Sequence, residues 1–333
     1  MKKIIYISNP ESQQIYVWKI NTEHNTLTLI QIVDVPGKGQ PITVHPNKKY
    51  LYIGIYPQYS IVSYYIDNNG LLHQVGIVQT YGKPTYLSTN LEGTILYCAS
   101  YSKNSISIYP IQKNSLPSYA INTLYNITTC HSVNFDSINK IIWVPCLKED
   151  MIKLFYISKS KDEYLINTNS KNIYLPLGSG PRHMVFHSNG KYAYVINELN
   201  NTICVFKIEK EIPKIIQIID FIPKNFIGKC WAADIHITSD NRWLYCSDRS
   251  TNTIYYFNIS KEGDQLFLVG CQKTEKQPRG FNIDDSNNFL IVAGQKSNCI
   301  AFYKINREKG NLVLISRYKV GIEPIFVWIL TIE

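Results

Sequence analysis

One phrase recurs along the whole chain: a short apolar run, a polar turn and a second apolar or aromatic run. Its clearest copy is SGPRHMVFHSNGKYAYVINE, residues 179–198, in which an Asn-Gly pair lies between the two runs. Glycine accepts the positive φ of a tight turn, so this pattern predicts a β-hairpin. Equivalent phrases begin at five other positions, namely Gly39, Gly82, Thr129, Trp231 and Gln277.

A third apolar run follows each hairpin phrase after a polar loop, as in SIVSYYI, TICVFKI and TIYYFNI. The copies start roughly 43 to 51 residues apart, a period typical of four-stranded β-propeller blades. Abundant isoleucine and 25 tyrosines favour strands over helices. The WD40 class is disfavoured, because no pair of Gly-His and Trp-Asp dipeptides recurs at the ends of the copies.

The two termini supply a seventh copy. Residues 4–21 have the pattern of a second and a third strand, whereas residues 324–330 have the pattern of a first strand with none after it. Joining them completes a blade and covers strand edges that would otherwise be open. The sequence therefore predicts an all-β fold, a single seven-bladed β-propeller domain over residues 1–333. Its blades are four-stranded and antiparallel, and the N- and C-terminal strands share one blade.

The cysteines and the apolar runs indicate a cellular compartment. Eight cysteines occur without a CxxC pair, and several lie inside apolar runs such as LYC. We interpret them as buried thiols in a reducing compartment. The apolar run after Met1 is too short for a secretory signal, and no run is long enough to cross a bilayer. The prediction is a cytoplasmic protein with no membrane partner.

The net charge of +9 is distributed along the chain without a long basic cluster or a one-sided stripe of Lys and Arg. This distribution does not favour a nucleic-acid partner. A positively charged cleft would instead attract a small anionic substrate. We expect a monomer that binds such a substrate and no nucleic acid.

The topology of a four-stranded meander brings certain residues to one face, because each first strand starts where each second strand ends. Aligning the copies gives one first-strand column of Thr85, His131, Arg182, Ala233 and Arg279. The adjacent column consists of Tyr86, Ser132, His183, Asp234 and Gly280. The loop column consists of Tyr101, Leu147, Glu198, Arg249 and Gln295, with Lys296 beside the last.

These columns predict a pocket that combines guanidiniums with groups able to transfer protons. Guanidiniums bind carboxylate or phosphate through paired hydrogen bonds, and a nearby His or Glu can take a proton from water. An alternative interpretation is that the arginines form ion pairs between blades and the histidines are structural. The residues that we expect to bind substrate beside the proton-transfer groups are Arg279, His183, Asp234, Gln295 and Lys296.

Other site chemistries fit the sequence less well. A metal site of Glu198, Asn197, Asp234 and Asp248 is conceivable, but the surrounding arginines would oppose a cation, so we expect no metal and no other cofactor. No GxSxG motif is present, which disfavours a serine hydrolase.

Several long segments carry a resemblance to a known family: SNPESQQIYVW, GPRHMVFH, YVINELN, WAADIHIT, QPRGFN and AGQKSN. They resemble the seven-bladed propeller lactonase family, which includes bacterial 6-phosphogluconolactonases and is similar to the fungal carboxy-muconate lactonising enzymes. The resemblance implies hydrolysis of 6-phospho-D-glucono-1,5-lactone, the second step of the oxidative pentose phosphate pathway. The positions that match catalytic residues of the muconate enzymes are His131, Arg182, Glu198 and Arg249.

The base that activates water is His131 or Glu198. We favour His131, because a carboxylate between arginines should have a lowered pKa. We also expect arginines to hold Asp234, and His183 to point to the opposite side of its strand from Arg182. A cycloisomerase or another lactonase with the same pocket, and a non-enzymatic interaction scaffold, remain alternatives.

Overall fold

The computed structural model describes residues 1–156, 171–210, 212–223 and 225–333. Within these ranges the chain forms 28 strands, numbered here in chain order, and two 3-10 helices, Pro10–Ser12 and Leu147–Glu149. The residues divide into two compact units, one of Val35–Gly180 and one that combines Met1–Asp34 with Pro181–Glu333.

Both termini contribute to one four-stranded sheet of the second unit. Its strands are Lys2–Asn9 (β1), Gln14–Asn21 (β2), Thr26–Asp34 (β3) and Phe326–Ile332 (β28), in the order β28-β1-β2-β3. Strand β1 pairs with β28 from Lys2 opposite Ile332 to Ser8 opposite Phe326. The predicted sharing of a blade by the two termini is therefore confirmed.

Three further sheets belong to the same unit, and in each the strands follow chain order. The first comprises Pro181–Phe186 (β16), Tyr192–Asn197 (β17), Thr202–Lys207 (β18) and Lys214–Asp220 (β19). The second comprises Ala232–Ile237 (β20), Trp243–Asp248 (β21), Thr253–Ile259 (β22) and Leu266–Lys273 (β23). The third comprises Pro278–Ile283 (β24), Phe289–Gly294 (β25), Cys299–Ile305 (β26) and Leu312–Lys319 (β27). The first strands β16, β20, β24 and β28 contact one another in that order.

The unit Val35–Gly180 contains three four-stranded antiparallel sheets. The first comprises Lys38–Val44 (β4), Tyr50–Tyr56 (β5), Ser60–Ile66 (β6) and Leu72–Gln79 (β7). The second comprises Tyr86–Thr89 (β8), Ile95–Ser100 (β9), Ser105–Pro110 (β10) and Asn122–Leu124 (β11). The third comprises Asn134–Asp136 (β12), Ile141–Cys146 (β13), Met151–Tyr156 (β14) and Lys171–Tyr174 (β15).

Burial differs systematically between the inner and outer strands of a sheet. Second strands such as β21 and β25 are buried along their whole length, whereas the fourth strand β19 alternates between exposed and partly buried residues. Strands buried on both faces read as continuous apolar runs, and half-exposed strands alternate. The hairpin phrase is therefore the inner part of each sheet.

A repeated tyrosine in the second strand joins neighbouring sheets within each unit. The hydroxyls of Tyr52, Tyr194 and Tyr245 donate to the carbonyl oxygens of Ser115, Gly263 and Gly310, at 2.6, 2.7 and 2.8 Å. Each acceptor lies in the turn between the third and fourth strands of the next sheet. A buried phenol needs such a partner, so part of the high tyrosine content is explained by this contact.

The predicted thiol burial is confirmed for five of the eight cysteines, is only partial for Cys230 and Cys299, and is wrong for one. All eight cysteines are free. Cys98, Cys130, Cys146, Cys204 and Cys246 are buried, whereas Cys271 is exposed on β23. Cys271 lies on the outer strand β23, most of whose residues are exposed or only partly buried.

Removing residues 324–333 should strongly destabilise the protein, because β28 covers the edge of β1. Val327 and Ile329 of this strand are buried in one cluster with Ile5 and Ile7. Losing these contacts should lower the melting temperature by at least about 10 °C. Calorimetry of the truncated chain, compared with a chain that lacks only Glu333, would test this. An unchanged melting temperature would contradict the role of β28.

Candidate active site

Three neighbouring sheets place the start of the first strand beside the end of the second, as the columns predict. Pro181 pairs with Asn197 and Ala232 pairs with Asp248, and Pro278 pairs with Gly294 in the same way. The residue that follows each of these second strands is a predicted loop residue, respectively Glu198, Arg249 and Gln295. This part of the predicted constellation is therefore brought together within one unit.

A β-bulge interrupts each of these first strands at the predicted site. The register shifts between Pro181 and His183, between Ala232 and Ile235, and between Pro278 and Gly280. The residues inside these irregular segments include Arg182, Asp234 and Arg279. Bulges re-aim side chains, so the site residues depart from the regular alternation of a strand.

Glu198 is bound by two guanidiniums from adjacent sheets. Arg182 Nε donates to Glu198 Oε2 at 2.8 Å, and Arg249 Nη2 donates to the same oxygen at 2.9 Å. The two arginine side chains are almost fully buried, and that of Glu198 is 15% exposed. Burial raises the pKa of Glu198, but the charges and hydrogen bonds of the two arginines outweigh it and hold the pKa below its usual value. Glu198 is therefore an ionised counter-charge that remains accessible.

Arg249 lies between a carboxylate and an aromatic ring. Its guanidinium carbon is 4.1 Å from the ring centre of Trp231, and Nη2 also donates to the carbonyl oxygen of Ala232 at 2.9 Å. Burial, followed by repulsion from Arg182, lowers the pKa of Arg249 to about 9. The guanidinium therefore remains charged near neutral pH and is held in one position.

Arg182 contacts the ring of His183, which corrects one prediction. Arg182 Nη1 lies 3.2 Å from His183 Nε2 and also donates to the carbonyl oxygen of Ala233. The expectation that the two neighbouring side chains point to opposite sides of β16 is wrong, because the bulge at Arg182 breaks the alternation. Burial and the charge of Arg182 lower the pKa of His183 to about 4. His183 is therefore neutral near pH 7.

Asp234 is held by two histidines, not by arginines as predicted. His183 Nδ1 lies 2.8 Å from Asp234 Oδ1, and His236 Nε2 lies 3.2 Å from Oδ2. The backbone amide of Ile235 also donates to Oδ1, at 3.0 Å. Burial raises the pKa of Asp234, but His236 and His183 hold it well below its usual range. Asp234 thus orients His183 against Arg182.

The third sheet adds a polar group around Glu323, in the turn before β28. Gln295 Nε2 donates to Glu323 Oε2 at 3.2 Å, and Lys296 Nζ binds Oε1 of the same carboxylate. The Lys296 hydrogen bond is the main cause that lowers the pKa of Glu323, and the charge of Arg279 adds to it. The predicted residues Gln295, Lys296 and Arg279 are therefore neighbours of one carboxylate.

His131 belongs to the unit Val35–Gly180, where two of the predicted columns also meet. The ring of His131 is buried and lies edge-on to Tyr101, with ring centres 6.0 Å apart. The amide of His131 donates to the carbonyl oxygen of Pro145 at 2.9 Å. Tyr101 is the loop-column residue of the preceding sheet, so the alignment of columns holds in this unit as well.

Three site residues were missed by the sequence interpretation: Trp231, His236 and Glu323. His236 follows Asp234 by only two residues, so its ring is within reach of the Asp234 carboxylate. That spacing was a usable signal. Trp231 lies only two residues before Ala233 of the first-strand column, which was a weaker signal for a contact with the site. Glu323 precedes the first strand of the C-terminal copy. This copy is incomplete, so Glu323 could not be aligned with residues of the other copies.

The four residues considered for a metal site serve other contacts. Asp248 accepts from Asn201 at 3.1 Å and from the amide of Thr251 at 2.7 Å, and Asn197 donates to Thr202 at 2.8 Å. Among the described residues, no group of three or more His, Cys, Asp or Glu side chains is arranged to hold a metal ion.

Comparison with known proteins identifies the family. The family model described as "Lactonase, 7-bladed beta-propeller" matches residues 4–329. The protein belongs to this lactonase family. Together with the seven four-stranded sheets, the match confirms the predicted seven-bladed β-propeller class.

Similar proteins cover the full length of this lactonase-family chain. A protein named 6-phosphogluconolactonase from Sodalis glossinidius is 46% identical over 332 residues, 99% of each chain. One of the same name from Blochmanniella pennsylvanica is 47% identical over 342 residues and covers 100% of this chain and 99% of its own. The structure of the periplasmic gluconolactonase PpgL from Pseudomonas aeruginosa has a TM-score of 0.91 with full coverage of both chains, at 22% identity. That likeness supports the fold.

In the described part of the chain, no helix has the length and apolar character needed to cross a membrane.

Replacing Glu198 with Gln should destabilise this lactonase-family protein at pH 7 and have little effect in acid. Because folding lowers the pKa of Glu198, the ionised carboxylate stabilises the folded protein at pH values above about 4.5, the pKa of this group in the unfolded chain. This contribution is lost as the pH falls through the folded pKa. We expect Glu198→Gln to melt about 5 °C or more below the parent at pH 7, because it leaves two buried guanidiniums without a counter-charge.

The difference between the two melting temperatures should shrink as the pH falls below about 4.5. Glu209→Gln is the matched control, since Glu209 also pairs with lysines but its side chain is 33% exposed, about twice as much as that of Glu198. It should leave the melting temperature nearly unchanged. A pH-independent difference for Glu198→Gln would contradict this electrostatic account.

Proposed function

We propose that the protein hydrolyses 6-phospho-D-glucono-1,5-lactone to 6-phospho-D-gluconate. The observation that carries the proposal is the buried cluster in which Arg182 and Arg249 share one oxygen of Glu198. Two guanidiniums against one carboxylate leave positive charge for an anionic substrate or a developing oxyanion. Full-length relatives named 6-phosphogluconolactonase support this substrate.

The reaction adds water to the lactone carbonyl carbon. A base takes one proton from water as the C–O bond forms, and the carbonyl oxygen becomes an oxyanion. The tetrahedral intermediate collapses by breaking the bond to the ring oxygen, which takes the proton from the protonated base and becomes a hydroxyl. We assign Arg182 and Arg249 to stabilise the oxyanion, because fixed charged donors act most strongly where negative charge develops. Glu198 holds both guanidiniums in position.

His131 is the residue that we propose as the base. Glu198 is a weak candidate, because its pKa is lowered and its Oε2 accepts two hydrogen bonds. His183 is also weak, since its pKa is lowered to about 4. His131 is the other imidazole of the first-strand columns, and an imidazole is the side chain that most often acts as a general base. Under this proposal His183, Asp234, Arg279, Gln295 and Lys296 bind the substrate or orient the groups that do.

We also propose that the two compact units form a single domain, which is supported by one family model that spans residues of both. A monomeric state, a cytoplasmic location and the lack of nucleic-acid or membrane partners remain predictions from the sequence.

The proposed function is tested by incubating pure protein with freshly made 6-phosphogluconolactone. The reaction product is measured with a coupled 6-phosphogluconate dehydrogenase assay, and spontaneous hydrolysis is measured in parallel. We expect loss of lactone well above the spontaneous rate. A rate equal to the spontaneous one would contradict the proposal and would favour a scaffold. Turnover of a muconolactone alone would favour a cycloisomerase.

His131→Asn should reduce kcat by about 10² to 10⁴, the range for loss of a general base. The control is His73→Asn, because His73 is an exposed histidine on the outer strand β7. Circular dichroism and melting temperature would establish that the His131 variant still folds. A nearly active His131→Asn beside an inactive Glu198→Gln would assign the base to Glu198.

Replacing Arg182, Arg249 or Arg279 with Gln should reduce kcat/KM. Each change should cost about 1–3 kcal/mol of transition-state stabilisation, the range for a charge-assisted hydrogen bond. Arg242→Gln is a matched control, because Arg242 is exposed and lies just before β21. Steady-state kinetics of the four variants measures the effect of each guanidinium. If the three site variants behaved like Arg242→Gln, these guanidiniums would not contact the substrate.

A further inference from the structure

An open cavity of about 560 Å³ adjoins the Glu198 cluster. Arg249 and Trp231 line this cavity, while Nη2 of the same Arg249 donates to Glu198. The Arg249 guanidinium therefore belongs both to the proposed catalytic cluster and to the cavity wall. A ligand that fills the cavity would therefore lie against a guanidinium that also binds Glu198.

Positive charge surrounds the cavity. Lys229, Lys276 and Lys296 line it in addition to Arg249, and its described lining includes no Asp or Glu. Lys296 binds Glu323. Within the described part of the chain, the ion pairs formed by lysines involve neither Lys229 nor Lys276. The cavity thus has positive charge in excess of its counter-charges.

Nearby carboxylates are engaged by other groups. Asp248, which precedes Arg249, accepts hydrogen bonds from Asn201 and Thr251. Glu275, which precedes Lys276, binds Arg317 on the outer strand at 2.7 Å. These carboxylates therefore leave the lysine ammonium groups available to an external anion.

Hydrogen bonds to backbone groups hold the lysine-bearing segments in place around the cavity. The amide of Lys296 donates to the carbonyl oxygen of Lys276 at 3.1 Å. The amide of Gln277 donates to Asn252 Oδ1 at 2.8 Å, and the hydroxyl of Ser250 donates to the carbonyl oxygen of Lys229. The three lysine backbones are thus fixed around the cavity, although their side chains are exposed.

We propose that this cavity binds the phosphate group of the substrate, and that Lys229, Lys276 and Lys296 determine the preference for a phosphorylated over an unphosphorylated lactone. The inference rests on the proposed function. A phosphate monoester carries a charge between −1.5 and −2 at neutral pH, and lysine binds phosphate as a point charge. Arg249, at the border, then contacts the same substrate from the side of the lactone carbonyl.

The test compares two substrates in a variant that removes two of the lysine charges. Lys229→Gln/Lys276→Gln should lower the ratio of kcat/KM for 6-phosphogluconolactone to kcat/KM for glucono-1,5-lactone by about tenfold or more. The matched control is Lys261→Gln/Lys309→Gln, which removes the same charge from exposed turns after β22 and β26. The control should leave the ratio unchanged. Lys261 and Lys309 follow β22 and β26, whereas the cavity borders the segments that precede these two strands.

An equal fall of both kcat/KM values, or a ratio that changes as much in the control, would overturn the inference. If the parent protein hydrolyses neither lactone, the proposed function fails, and calorimetric titration with 6-phosphogluconate and gluconate decides the inference separately. The inference would be supported if the parent bound 6-phosphogluconate more tightly than gluconate and if Lys229→Gln/Lys276→Gln weakened the binding of 6-phosphogluconate about tenfold. No difference in affinity between the two acids would overturn it.

Discussion

The site depends on the shared ion pair between Glu198, Arg182 and Arg249. Two guanidiniums from neighbouring sheets are buried, and a buried charge is tolerated only with a partner and further hydrogen bonds. Glu198 supplies the partner, and the carbonyl oxygens of Ala232 and Ala233 each accept a further hydrogen bond from the two guanidiniums. This contact also joins the end of one sheet to the next sheet. The arrangement that prepares positive charge for a substrate therefore also holds two blades together.

Much of the architecture could be predicted because the repeated apolar runs coincide with the buried inner strands of each blade. The second strands are continuous apolar runs, and the termini completed a copy that the alignment lacked. The site columns followed from the same alignment, since Pro181 opposes Asn197 as a meander requires. Side-chain directions could not be obtained in this way. A bulge at Arg182 places its guanidinium against His183, and strand periodicity gives no sign of a bulge.

Partners of the ionisable groups were also harder to predict than their positions. Asp234 is held by His183 and His236, and His236 lies only two residues farther along the first strand. Glu323 engages Gln295 and Lys296 from a turn outside the repeat alignment. Short-range spacing could have identified His236, whereas the Glu323 contact depends on how two sheets meet. The lowered pKa of Glu198, in contrast, agrees with the expectation for a carboxylate between arginines.

The proposed anion-binding region is continuous: Arg249 lies between a cluster for the lactone carbonyl and a lysine-lined cavity for the phosphate. A crystal structure of the protein with bound 6-phosphogluconate tests this arrangement most directly. We expect the carboxylate of the product to contact Arg182 and Arg249 and its phosphate to lie among Lys229, Lys276 and Lys296. A product molecule bound away from Arg249, or bound with its phosphate at Arg182, would contradict it.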